Sequence, residues 1–171
     1  MFARVKKPLR QVCADFPQGR RANFVTVISN TQNKEFMRKI DEIIIHCTAT
    51  LPGSRVGVAE VRAAHRARGF CDIGYHYLVL PDGTVEAGRR EERSGAHCLG
   101  HNRRSIGVAY VGGLDASGRP ADTRTPEQKK ALAALVAELL SRYPSATIHG
   151  HREFAAKACP CFDVAEIGAG L

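Results

Sequence analysis

The stretch 143–163, YPSATIHGHREFAAKACPCFD, gathers His149, His151, Lys157, Cys159 and Cys161 into one short polar run. Imidazole and thiolate are donors that suit Zn²⁺, and a lysine supplies positive charge where a reaction develops negative charge. Far upstream, His46 ends the run Ile43-Ile44-Ile45, a β-branched segment of the kind that forms a buried strand. A histidine from one strand, a histidine from another and a loop cysteine would make a three-ligand zinc site. Such a site keeps a fourth position open for water, the arrangement of catalytic zinc, and the metal lowers the pKa of that water toward ~7 while polarising a carbonyl. Spacing does not choose between His149 and His151. Residues two apart share a face of an extended strand, and a bend at Gly150 would break that equivalence. Simpler readings stand beside this one: His46 as a structural strand-end histidine, Lys157 as a solvated loop lysine, and Cys159-Pro160-Cys161 as a redox pair, which so short a loop would strain.

The elements that would position these groups are legible as patterns. Residues 56–70, VGVAEVRAAHRARGF, read as a helix with Val58, Val61 and His65 on one stripe and Gly69 as its stop. GYHYLVLPDGTVEAG is a hairpin: a strand through Val79, a Pro-Asp-Gly turn and a return strand at Val85. SIGVAYVGG is a strand ending in glycines. Thr125 is the expected N-cap of a helix running to about Arg142, with Pro126 at its first position and Gln128 closing a capping box. Leu132, Leu135, Val136, Leu139 and Leu140 form its apolar stripe. ATIHGH is the last strand, and NFVTVIS near the N-terminus is a candidate short strand. Strands interleaved with two helices predict an α/β fold: a single domain with a central mixed sheet flanked by helices.

Charge divides the 171-residue chain. Residues 1–39 carry nine Lys/Arg against two acids, whereas 40–171 carry sixteen against fifteen. The expectation is a basic leader over 1–39, dispensable for folding, then a nearly neutral domain over 40–171, with Met37 a plausible alternative start. A basic arm suits an anionic envelope or nucleic acid, or is simply solvated. No apolar run reaches membrane-span length, and the N-terminus lacks the apolar h-region of a secretory signal. Cytosolic synthesis is therefore expected. Six cysteines without a C-x-x-C pair argue against a disulfide framework, and most should be small buried apolar residues.

Several blocks occur in one order: IIIHCTAT, VGVAEVRAAHRARGFCDIGYHYLVLPDGTVEAGR, GAHCLGHNRRSIGVAYVGG, TPEQ and HREFAAKACPCFD. Together they resemble the phage-lysozyme-like N-acetylmuramoyl-L-alanine amidases of the type-2 amidase and peptidoglycan-recognition-protein family, over roughly residues 40–164. The resemblance implies a zinc amidase that cuts the bond between the lactyl group of N-acetylmuramic acid and L-alanine, acting on the cell wall as a phage or prophage lysin. It implies His46, His151 and Cys159 as metal ligands, which leaves His149 as a neighbour. It implies Tyr75 and Lys157 as catalytic residues, and it places His97 and, more weakly, Asn102 beside the substrate. Tyr75 by itself would read as a core aromatic. Cys161 stands where the family usually has a small polar residue. Two other readings follow from the same resemblance: a peptidoglycan-binding protein without turnover, and a lysin that also binds and inhibits RNA polymerase.

Overall fold

The computed structural model describes residues 38–168. Five strands form one sheet in the order β3-β2-β4-β1-β5. In chain order they are β1 (Glu42–Cys47), β2 (Tyr77–Val79), β3 (Val85–Ala87), β4 (Ser105–Tyr110) and β5 (Thr147–Gly150). β1 runs parallel to both β4 and β5, β2 runs parallel to β4, and only the β2–β3 hairpin is antiparallel. The sheet is therefore mixed, as the alternation of elements predicts. The candidate strand NFVTVIS lies outside the described residues.

The parallel centre explains the composition of β1 and β4. Every residue of both strands is buried, because helices cover the two faces of a parallel sheet and leave no solvent side. On one face Ile43, Ile45 and Cys47 pack with Ile106, Val108 and Tyr110 against helix α2 (Pro126–Arg142) and the short helix α3 (Ala165–Gly168). On the other, Leu78 and Ala109 pack against Val58 and Val61 of helix α1 (Val58–Ala67). His46, one residue out of step with Ile45 and Cys47, falls on the face away from α2.

Local chemistry fixes the helix and turn boundaries. Thr125 Oγ1 accepts from the Gln128 N–H at 3.0 Å and Gln128 Oε1 accepts from the Thr125 N–H at 3.1 Å, the reciprocal capping box. The Gln128 amide then donates to the carbonyls of Val79 and Val111, tying the start of α2 to the sheet. The hairpin turns through Gly83 at φ +85°, a conformation that a side chain would strain. Arg38, which the charge pattern assigns to the leader, is built into the fold: its guanidinium donates to the carbonyls of Glu91, Asn102, Arg103 and Ser105. No helix among the described residues is long and apolar enough to cross a membrane.

Candidate metal centre

Sheet order brings β1 and β5 side by side, with Ile45 opposite Gly150. His46 and His151 are the next residues along, so both lie at the C-terminal end of these parallel strands. β5 stops at Gly150, and His151–Glu153 form a 3₁₀ turn. That bend breaks the equivalence of the two downstream histidines. His151 turns toward His46, with ring centroids 4.5 Å apart. His149 turns away and pairs with Glu153 at 2.7 Å, while Glu153 also accepts from the Gly150 N–H and so braces the bend. The loop that follows is closed by the Arg152 N–H donating to the Cys159 carbonyl at 2.7 Å, which returns Cys159 to the neighbourhood of His151.

Ligand-type atoms of His46, His151 and Cys159 all lie within 4.8 Å of one another. Cys159 Sγ is 3.8 Å from His46 Nδ1. A tetrahedral ion at ~2.3 Å from sulfur and ~2.0–2.1 Å from nitrogen would separate these two donors by about 3.6 Å, so the set fits a metal of that size. The directions in which burial and neighbours shift these groups agree. Burial first, and then the neighbouring His97, His151 and Lys157, hold His46 well below the ordinary imidazole range. Burial and Lys157 lower His151 as well. Hydrogen bonding from the Cys47 side chain, aided by its backbone N–H at 3.2 Å, pulls the Cys159 thiol below its usual value against the opposing effect of burial. Neutral imidazoles and a thiolate are the forms that bind metal.

Behind His46 runs a chain of hydrogen bonds that sets its tautomer. His46 Nε2 lies 3.0 Å from His97 Nδ1, and His97 Nε2 lies 3.4 Å from Ser105 Oγ, which donates to the His101 carbonyl at 2.8 Å. With Nδ1 of His46 facing Cys159, its Nε2–H donates to His97. His97 then carries its own proton on Nε2, directed at Ser105. His97 can come this close because the strand residue beneath it is Gly107, where a Cβ would stand 2.4 Å from the ring. Asn102 Oδ1 accepts from the N–H groups of His97 and Cys98 and fixes that loop. Neither His97 nor Asn102 is among the residues that line the adjoining cleft.

The cleft itself, about 410 Å³, is lined by Tyr75, Lys157, His151, Cys159, His65 and Arg68, among others. Tyr75 is half-buried, with its ring 5.1 Å from that of His46. Burial pushes its phenol well above the usual range, so it remains a hydroxyl donor. Lys157 is exposed at the rim. His65 has a double character that its helical spacing hides. It is buried on the α1 stripe and its Nδ1 accepts from the Gly74 N–H at 2.8 Å, yet its ring also faces the cleft. The only signal in the sequence was a titratable group on an otherwise aliphatic stripe. Of the cysteines, Cys47 and Cys98 are buried as expected, Cys159 and Cys161 are half-buried, and Cys71 is exposed. Cys161 lies 3.8 Å from Cys47, the pair meeting at Gly113, whose φ is +98° and where a Cβ would come within 2.5 Å of the Cys47 sulfur.

Comparison with known proteins agrees with this architecture. The profile of the N-acetylmuramoyl-L-alanine amidase family matches residues 36–162. The endolysin of Escherichia phage T7 is 47% identical over 124 residues, which cover 72% of this chain and 82% of that protein. Among solved structures, the N-acetylmuramoyl-L-alanine amidase LysC from Clostridium intestinale superposes with a TM-score of 0.69 at 28% identity, over 79% of this chain and 86% of that one. Drosophila PGRP-LB superposes with a TM-score of 0.64 at 25% identity, over 78% and 82% of the two chains. The matched span takes in both strands and the loop that carry His46, His151 and Cys159, and on it the chain belongs to the N-acetylmuramoyl-L-alanine amidase family.

Proposed function

We propose that this protein is a zinc-dependent lysin that hydrolyses the amide between the lactyl group of N-acetylmuramic acid and L-alanine in peptidoglycan. The observation that carries this reading is the meeting of His46, His151 and Cys159, the last two lining a cleft that Tyr75 and Lys157 also line. When bound, zinc supplies a Lewis acid and brings the pKa of water down to ~7. The protein's own groups do the rest. His46 Nδ1, His151 and Cys159 would hold the ion, and the His97–Ser105 chain keeps His46 in the tautomer that leaves Nδ1 free. Tyr75 and Lys157 face the space where a carbonyl would lie, and a hydroxyl donor and an ammonium there stabilise the negative charge that builds on its oxygen. Water adds to the carbonyl carbon, the C–N bond breaks, and the products are a lactyl carboxylate and the free amino group of L-alanine. Cys159 favours turnover over binding alone, because two imidazoles without the thiolate would leave the ligand set incomplete.

Mass spectrometry of purified sacculi after incubation with the zinc-loaded protein tests this. The expected products are stem peptides with free L-alanine amino termini and glycan strands left intact. Cleaved glycan, or sacculi bound but chemically unchanged, would refute the assignment.

A further inference from the structure

Cys159 is the ligand whose placement needs most explanation, since it sits on a loop rather than on a strand. Among the contacts that hold that loop, three bear on Cys159 most directly. Two have been described: the Arg152 N–H to the Cys159 carbonyl, and the Cys47 N–H to Cys159 Sγ. The third comes from Tyr110, which is fully buried at the end of β4 and whose hydroxyl donates to the Pro160 carbonyl at 2.7 Å. Pro160 is itself buried. Tyr110 is paired in register with Cys47, the residue after ligand His46.

We propose that the Tyr110 hydroxyl is a positioning group for the third metal ligand, fixing Cys159 against the strand pair that carries His46. The proposal rests on the zinc reading above. Tyr110 does not line the cleft, so it has no part in contacting substrate. Its oxygen instead links rigid sheet to ligand loop, one residue from the coordinating sulfur. The loop is gripped again at Phe162, whose ring lies 6.0 Å from Tyr110 and under the Arg124 guanidinium, 3.2 Å from the ring centre. Arg124 is held in turn by Asp122 and Glu166, each at 2.8 Å. A buried carbonyl that loses its donor carries an uncompensated desolvation penalty, and metal sites keep their ligand distances within ~0.2 Å of standard values.

The test is Zn²⁺ affinity of the full chain, measured by competition with a chromophoric chelator, alongside thermal unfolding in excess EDTA. Tyr110→Phe removes one oxygen and keeps the ring. It is expected to weaken zinc binding about 10- to 100-fold, the usual effect of losing a group that orients a ligand. The thiolate-to-metal band of the Co²⁺-substituted protein should weaken with it. Arg124→Lys, which frees the Phe162 face but spares the Tyr110 hydroxyl, is expected to cost only about a few-fold. If Tyr110→Phe lowers metal-free stability but leaves zinc affinity within about twofold of wild type, the hydroxyl serves packing alone and the proposal is overturned. Should Tyr110→Phe not fold without metal, the variant is refolded in excess Zn²⁺, and a zinc-loaded Tyr110→Phe that holds the metal within about twofold of wild type overturns it equally. A wild-type protein that binds no zinc would instead bring down the zinc reading itself.

Discussion

His46 stands at the end of a strand whose six residues are all buried, whereas Cys159 hangs from a loop in which Arg152, Glu153, Lys157 and Ala158 are exposed. Both deliver a ligand atom to the same point, and the means differ. On the strand, orientation is set by the period-two alternation that takes His46 off the α2 face, and its tautomer by His97 and Ser105. On the loop, orientation is set by individual hydrogen bonds to Arg152, Cys47 and Tyr110. A strand position is held by many packed neighbours at once. A loop position depends on each contact separately, because few buried apolar neighbours share the task. The strand side therefore supplies the buried anchor, and the loop side places Lys157 at the cleft.

The ligands themselves give the bluntest comparison. His46→Ala and Cys159→Ser are both expected to abolish zinc occupancy and lysis together, and retained lysis in either would contradict the ligand set. Next, Lys157→Ala should keep the metal yet lose on the order of 10²–10³ in turnover on sacculi, the usual cost of one oxyanion donor. Loss of zinc in that variant would make Lys157 part of the loop's architecture instead. A smaller effect separates the two supports: His97→Ala should weaken zinc binding about 10- to 100-fold. If only KM for peptidoglycan fragments rises, His97 contacts substrate rather than His46.

The smallest effect concerns stability. Burial, as the leading cause, lowers both His65 and His76 from an ordinary 6.5 to about 4. Between those values the unfolded chain binds protons that the folded chain excludes. Their contribution is thus fully present above about pH 6.5 and is lost as pH falls toward 4. Urea midpoints of the metal-free protein should decline across that window, and a flat profile from pH 6.5 to 5 would show that neither histidine is held neutral.

The contrast between strand and loop also explains what the sequence made legible. Ile43-Ile44-Ile45, the Thr125–Gln128 capping box and the Pro-Asp-Gly turn act through neighbours in the chain, so pattern alone identifies them. His46 was conspicuous because it ends an apolar strand. The choice of His151 over His149 was not open to spacing, since it turns on a bend at Gly150 stabilised by Glu153. The support roles of His97, Asn102, Tyr110 and Arg38 arise from contacts across 50 or more residues for Tyr110 and Arg38, and from a hydrogen bond between rings for His97. Periodicity carries no trace of such contacts. The α1 stripe buries His65, and what spacing does not show is that its ring also borders the cleft.

X-ray absorption at the zinc edge of the metal-loaded protein tests the central claim most directly. The account predicts one zinc per chain, with two imidazole nitrogens, one sulfur and one light atom in its first shell. Zinc held without sulfur, or bound with more than one sulfur, would contradict the meeting of His46, His151 and Cys159 on a single ion.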